Sequence, residues 1–571
     1  MAKPHSGKTR GAVVRTSATA ALILLAAFVI TGRNPDGFWA QVEMRALDWR
    51  FVARGVREPV HPITIVAIDQ TSIHEIGRWP WDRSVHAALI SSIAKGHPAV
   101  IGLDIVYNTR QGMGADGGLS DVDKELAASI QTATTVVPGY FFYLAPDDMP
   151  VRAAGPASAV TPPLKKIRED AGRAGRRFLP HASGVESNIA EITAKGRGDG
   201  FFNVWPDRDG VVRRQPLFVA YGEEIYPSLS LRMASVAASR EPLLVLDEAG
   251  ASSVRLSENV PVDEQGRLLV NFRGPAGSFP RISASDVLSP DFDASVFKDR
   301  LVLVGVTAPS VGDLVPTPFA RAGYPGVEVH ANVLDNLLAG DALERSAAYY
   351  LIDMAVMLFG AALVGLALAY TGPWVSVGAL LATMAGMFAA GFYAFASGGV
   401  AVGVIFPMLG TVVVFVAGST ARLVVEYGDR RRVKAAFERY LPPAVVDRIA
   451  DDPSLVGLAG ERVNGSVLFC DIEQFTRVSA ALPAESVVRM LNIILSELSE
   501  LVFRHGGMLD KYVGDGLVAV WGVPFADDAH AARACRCAAA MNGRLESVNR
   551  RLADEDCPPR ASASASVPAS W

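Results

Sequence analysis

Two aspartates, Asp471 and Asp515, stand 44 residues apart, each beside an apolar run: "GSVLFCDIEQFT" and "GMLDKYVGDGLVAVWG". Carboxylates at strand ends are hard oxygen ligands suited to Mg²⁺ or Mn²⁺, which complete their shells with water and phosphate. Two such ions can activate an attacking hydroxyl and neutralise the charge on a triphosphate. Gly514 and Gly516 flank Asp515, so a metal and its phosphate can approach the backbone closely. Backbone amides after Asp471 are placed to meet that triphosphate, and Lys511 lies four residues before Asp515. Each piece alone is weak, because an Asp-Gly turn is common and either carboxylate also reads as a turn residue. The pattern lacks a phosphate-binding P-loop and a Gly-Gly-Asp-Glu-Phe stretch.

The elements that must hold these residues are legible. Residues 466–471 are an apolar strand ending at Asp471. "AESVVRMLNIILSELSELVFRHGG" follows, with apolar residues at 487, 488, 491, 494, 495, 498, 501 and 502, a single helical stripe. Residues 508–521 read as two strands around the Gly514, Asp515, Gly516 turn. Strand, helix and hairpin predict an α+β unit with both carboxylates at strand ends.

Together, "LFCDIEQFT" and "HGGMLDKYVGDGLVAVWG" resemble the catalytic domain of class III adenylate/guanylate cyclases, with "FERYLPPAVVDRI" before and "DDAHAARACRCAAAM" after. The resemblance implies a ferredoxin-like nucleotidyl cyclase domain working as a head-to-tail homodimer with two Mg²⁺ or Mn²⁺. It implies that Asp471 and Asp515 bind the metals with the Ile472 carbonyl. Phe475 and Thr476 then fall in the phosphate-contacting turn, with Gly514 beside the substrate. Lys511 matches the purine-reading lysine of adenylate cyclases. An ammonium donates to an adenine ring acceptor but confronts guanine's ring N–H, which favours ATP and the product cyclic AMP with pyrophosphate. Gln474 stands where the family has glycine, and Val518 and Trp521 replace the commoner Met and Phe.

The resemblance covers residues 461–556, the N-terminal half of such a domain, and no counterpart of the family's transition-state Asn and Arg is found. Residues 557–571 read instead as an aberrant tail ending "ASASASVPASW". Alternating Ala and Ser codons read one base out of register can encode Ile-Gly-Ile-Gly-Val-Arg-Thr-Gly-Glu-Leu, a strand and turn of the cyclase kind. The expectation is a frameshift near 555–560, a truncated domain of poor stability with an exposed sheet edge, and an inactive chain. Loss of such charge stabilisers costs several kcal/mol of barrier.

Ahead of this unit the chain is membrane-bound. Residues 354–421 contain no Asp, Glu, Lys, Arg or His, longer than a soluble helical core would stay uncharged. Small-residue breaks divide the region into spans at 347–370, 375–396 and 400–421. A further apolar run, 16–32, follows Lys3, Lys8, Arg10 and Arg15, a signal anchor with residues 1–15 cytoplasmic. Arg422, Arg430, Arg431, Arg432 and Lys434 form a second positive flank. Four spans place residues 33–345 outside the cytoplasm of a multi-pass cell-membrane protein. A linker or transducer helix at 422–460 and the cyclase unit then lie inside.

The external segment reads as α/β. "PITIVAID" and "PAVIGLDIVY" are strands joined by the helical "SVHAALISSIAKG", which puts Asp69 and Asp104 at strand carboxyl ends, where open sheets form ligand crevices. Both are sensor-pocket candidates, and both read equally as turn or cap carboxylates. "NVWPDRDGVVRRQPL" looks like a hairpin with Asp209 and Gly210 at its tip. These pieces, with "VAIDQTSIHEIGRWPWDRSVHAALI" and "DRLVLVGVTAPSVGDLVPTPF", resemble the CHASE family of extracytoplasmic sensors, second type. That implies a sensing module for an unidentified ligand, not catalysis.

A net charge of −5 gives no general basic surface for nucleic acid. All four cysteines, Cys470, Cys535, Cys537 and Cys557, fall in the last quarter of the chain, which leaves no disulfide framework or zinc spacing.

Overall fold

A computed structural model of the chain describes residues 7–31, 37–112, 119–144, 163–170, 172–311, 314–345, 347–437, 463–523, 526–554 and 563–566. Residues 438–462, most of the expected transducer segment, and all of the tail except 563–566 lie outside the described residues. Two compact units emerge, Met1–Ser419 and Thr420–Trp571.

The first unit opens with helix α1 (Gly7–Thr31) and helix α2 (Phe38–Arg54). Strand β1 (Ile63–Ile68) leads into α3 (Gln70–Ile76) and α4 (Arg83–Ala94), then β2 (Val100–Leu103), α5 (Asp121–Ala133), β3 (Val136–Leu144) and β4 (Ala182–Glu186). Helix α6 (Leu229–Ala238), β5 (Arg281–Ser283), β6 (Leu301–Val306) and α7 (Gly326–Ala339) complete the main sheet and its helices, beside smaller sheets of short strands. The main sheet runs β5-β1-β6-β2-β3-β4. Its first five strands are parallel and β4 pairs antiparallel at the edge. Strand alternation explains the two cores: Ile63, Ile65, Leu301 and Leu303 pack with α6 and α7, while Val66, Ile68, Val302 and Val304 pack with α4 and α5. A sheet covered on both faces needs the near-continuous apolar strands that the sequence shows.

The sequence reading left the strand order open: β1 and β2 are not neighbours, because β6, more than 190 residues further on, inserts between them. One detail differs from that reading. Residues 207–211 form a closed turn, with the Asp207 amide donating to Val211 O at 2.9 Å, and not the tip of a two-stranded hairpin as expected around Asp209 and Gly210. The Asp209 turn closes on itself, with the Gly210 amide donating to Asp207 O at 2.9 Å, and strand Arg214–Pro216 pairs with Arg267–Leu269 instead. The buried Arg213 guanidinium fixes that turn through Asp48, Asp207 and Asp209, at 2.6, 3.3 and 2.9 Å.

Buried Asp199 accepts a 2.7 Å hydrogen bond from Thr193 Oγ1 and faces Tyr140 and Arg232. Burial pushes its carboxyl up to about 7, against Thr193 and Arg232, which pull it down. An acid raised on folding stabilises the fold fully below its unfolded value near 4 and loses that contribution as pH climbs to 7. The thermal midpoint of the purified chain is therefore expected to fall from about pH 5 to pH 7.5, and Asp199→Asn to flatten that fall. An equal fall in the variant counts against this assignment.

Helices α8 (Ala347–Tyr370), α9 (Pro373–Gly398) and α10 (Ile405–Phe437) follow. With α1 they give, among the described residues, four helices long and apolar enough to cross a membrane. The helices outrun the uncharged stretches: α1 begins at Gly7 and takes in Lys8, Arg10 and Arg15, since hydrogen bonding, not apolarity, ends a helix.

The second unit contains β7 (Ser466–Ile472), α11 (Phe475–Ala480), α12 (Ala484–Arg504), β8 (Met508–Val513), β9 (Gly516–Trp521), α13 (His530–Asp554) and β10 (Ala563–Ser566). The antiparallel sheet runs β8-β9-β7-β10, so the Ala/Ser segment lies along the β7 edge, with Asp471 opposite Ser564. Helix α12 packs Met490, Ile493, Ile494, Leu498, Leu501 and Val502 onto Leu468, Leu517 and Trp521. The buried stripe starts later than the periodicity predicts, and Val488 is 57% exposed. The chain is thus a multidomain membrane protein: an α/β sensor domain, four candidate spans and an α+β unit.

Candidate active site

Strand β7 pairs with β9 so that Cys470 opposes Leu517, and the β8–β9 turn closes with Val513 opposite Gly516. This register carries Asp515 to the end of β7, beside Asp471. Glycine at 516 is required for that approach. A Cβ there would stand 2.5 Å from the Cys470 carbonyl oxygen and 3.1 Å from Asp471 Oδ1. Gly514 takes φ +61°, the left-handed value that a tight turn demands. Burial raises the Asp515 carboxyl above its ordinary value, and the neighbouring Asp471 charge and hydrogen bond raise it further. Two carboxylates competing in this way are a site that a divalent cation relieves. The donor set fits Mg²⁺ or Mn²⁺: two carboxylates, and the backbone carbonyl of Ile472 next to them in β7. Among the described residues no group of three or more His, Cys, Asp or Glu forms a metal cluster, so a cation held here would take the rest of its shell from water and phosphate oxygens.

After Ile472 the chain turns through Glu473 and Gln474 into α11, which starts at Phe475 and Thr476. Phe475 is half-buried and Thr476 exposed. Gln474 sits at φ 58°, ψ 25°, the left-handed region that costs a side-chain-bearing residue roughly 1–2 kcal/mol. This gives a physical reason for glycine at this position. Gln474→Gly is expected to stabilise the unit by about 1 kcal/mol, read as a higher thermal midpoint. A lower midpoint counts against a strained turn.

Lys511 lies on β8 opposite Val518, just past a register shift between Leu509 and Lys511. It is 62% exposed, with its Nζ 3.3 Å from Asp510 Oδ2. The hairpin therefore carries Asp515 at its turn and an outward lysine on one arm.

In the sensor unit, Asp69 and Asp104 follow β1 and β2 on either side of β6, at the carboxyl ends of the parallel strands. Asp69 caps α3: its Oδ1 accepts from the Ser72 amide, Ser72 Oγ and Ser283 Oγ, each at 2.8 Å. Burial opposes its ionisation, but these bonds outweigh burial and hold the carboxyl below its usual value. Asp104 is half-buried beside Gly305, where an added Cβ would stand 3.2 Å from Asp104 Cβ. A cleft of about 200 Å³ in this unit lies elsewhere, between Gln41, Met44, Trp205, Arg213, Arg214 and Arg267.

The sequence reading missed the polar side of α7, where Glu328, His330, Asn332, Asp335 and Asn336 are all buried. The signal was present as five polar residues in a helix with no polar face to spare, since each must meet a partner inside the domain.

Comparison with known proteins places both units. Residues 20–369 match the CHASE2 domain, and residues 460–555 match the adenylate and guanylate cyclase catalytic domain. The chain belongs to the CHASE2-domain family. It joins that sensor domain to a class III cyclase catalytic domain. It is 34% identical over 137 residues to adenylate cyclase 1 of Rhizobium meliloti, covering 24% of this chain and 21% of that protein. It is 28% identical over 144 residues to the adenylate cyclase of Anabaena cylindrica, covering 25% and 28%. The chain thus spans about a quarter of the length of these relatives. The solved structure of the adenylyl cyclase CyaB from P. aeruginosa is 28% identical, covering 19% of this chain and 57% of that one, with a TM-score of 0.19.

Proposed function

We propose that this chain is a receptor-type adenylate cyclase, built to convert ATP to cyclic AMP and pyrophosphate under the control of an extracytoplasmic sensor. The expectation from residues 557–571 that it is inactive stands beside this reading, and turnover of the purified chain decides between them. The observation that carries the reading is the approach of Asp515 to Asp471 across a register that only Gly516 permits. Asp471, Asp515 and the Ile472 carbonyl would hold two Mg²⁺ or Mn²⁺. Bound there, the ions would supply activation of the ribose 3′-hydroxyl and neutralisation of the triphosphate. In the reaction the 3′-oxygen bonds to the α-phosphorus, the bond to pyrophosphate breaks, and the hydroxyl proton is released.

The residues of the chain supply position. Phe475 and Thr476 open α11 where the phosphates would lie, and Gly514 leaves room at the turn. Lys511 donates to the adenine ring. Its outward exposure on β8 suits a homodimer in which one protomer holds the metals and its partner reads the purine. The spans and flanking charges support a cell-membrane location, with residues 33–345 outside and 461–556 inside. Residues 422–460 serve as the transducer between them. The stimulus acts through the sensor unit, where Asp69 and Asp104 are the sequence's pocket candidates.

A second reading, a sensor and dimerisation protein with a degenerate cyclase domain, is favoured by the left-handed Gln474. A nucleotide competition assay on the purified chain with Mn²⁺ separates the readings. Turnover of ATP resisting excess GTP supports adenylate specificity. Inhibition by equal GTP points to a guanylate cyclase, and no turnover of either nucleotide points to the degenerate domain.

A further inference from the structure

Helix α2 begins seven residues after the end of α1, and from Trp39 to Arg54 it makes contacts with the ends of the spans. Near its start, Trp39 packs edge-on against Phe406 in the first turn of α10, ring centroids 5.8 Å apart. One turn on, Glu43 accepts the Val404 and Ile405 amides, both at 3.0 Å. Arg50, paired with Glu43 at 2.9 Å, donates to Val402 O at 2.8 Å. Close to its end, Phe51 and Arg54 lie on the ring of Phe395 in the last turn of α9, each 5.0 Å from its centroid. Arg57, just beyond, donates to Ala396 O.

Trp39 and Arg54 are about 22 Å apart along the helix, yet both touch the adjoining ends of two consecutive spans. A helix continuing the direction of α1 would leave those ends within two turns. Helix α2 therefore runs across them, at the level where spans meet lipid headgroups.

One face of α2 is in the sensor core through Met44, Leu47 and Phe51, and Asp48 pairs with Arg213. Another face is spent on the span ends. The remaining stripe is bare: Phe38 is 69% exposed, Trp49 80% and Val52 61%, and Val56 continues it past the helix end at 62%. Exposed Arg45 lies in the same stripe. Isolated exposed apolar residues are ordinary, but aromatic and aliphatic residues in register with an arginine are the composition of a helix seated at a bilayer surface.

We propose that α2 is an interfacial helix whose Phe38, Trp49 and Val52 stripe is immersed in the headgroup layer of the membrane that the spans cross. The occupant is lipid because the stripe is continuous with the membrane-spanning ends on which the helix rests. The sensor unit thereby touches the bilayer through the same helix that holds Arg213 and caps α10.

The test uses the full chain, with its four cysteines replaced by alanine, in nanodiscs of phosphatidylcholine and phosphatidylglycerol. A nitroxide is placed at Trp49→Cys, Val52→Cys or, as a water-exposed reference, Glu248→Cys. Lipid immersion predicts an oxygen-to-nickel-chelate collision ratio several-fold higher at 49 and 52 than at 248. A ratio equal to that at 248 overturns the proposal, as does dipolar broadening between labels, which places a second copy on the stripe. Position 52 decides alone should the substitution at 49 disturb folding. None of these outcomes depends on cyclase activity.

Discussion

On the proposed adenylate cyclase reading, replacing Asp515 by alanine is expected to lower cyclic AMP formation by about a thousandfold, the scale of losing charge stabilisation of a phosphoryl transition state. The carboxylate sits in the turn between β8 and β9 and is half-exposed, so its removal takes little from the core. Asp471→Ala costs a similar factor, and the double variant is scarcely worse, because residues that act as one unit are not additive. Folding is checked on the same samples by the thermal midpoint, which is expected to stay level or rise, since the alanine at 515 relieves a crowded charge pair. Activity that persists in both single variants contradicts a metal site on these two aspartates.

The largest stability effect belongs to the sensor unit. Arg273→Met is expected to destabilise it by about 3–5 kcal/mol. Arg273 is buried, and its guanidinium donates to Asp335 Oδ2 at 2.5 Å and to the two oxygens of Asp341 at 2.6 and 3.0 Å. Asp335 is itself fully buried and also accepts the amides of Val60 and His61, at 3.1 and 2.9 Å. The network thus ties the strand lead-in, the 271–273 segment and α7 together. Removing the cation leaves a buried carboxylate without its counter-charge, which costs far more than the pair contributes. Adding Asp335→Asn to Arg273→Met is expected to recover part of the loss, as a rise in the unfolding midpoint over the single variant. A single variant that melts with the wild type would contradict this account of the network.

The cyclase unit was readable because its information is local. Strand, stripe and Gly-flanked Asp515 lie within about sixty residues, and an antiparallel hairpin sets its own register. Gln474 was visible as a departure, but its left-handed backbone needed the structure. In the sensor unit, alternating burial made the strands legible, while their order was not. Nothing near residues 63–103 signals that β6 will separate β1 from β2, because strand neighbours in a parallel sheet are chosen by crossovers far along the chain. The Asp209 turn misled for a related reason. Asp-Gly flanked by valines is a hairpin signal, yet Arg213 ties the turn to Asp48 of α2 and the following strand pairs with Arg267–Leu269. Polar residues on α7 were passed over since periodicity reports the apolar face and is silent on buried hydrogen bonds.

The most direct measurement follows the α-phosphorus. Purified full-length chain in detergent or nanodiscs is incubated with Mn²⁺ and ATP labelled at the α-phosphate, and the products are separated and identified by mass. The account predicts the label in cyclic AMP, with one pyrophosphate released per turnover and both lost with Asp515→Ala. Label found only in ATP, or in ADP with free phosphate released, contradicts it.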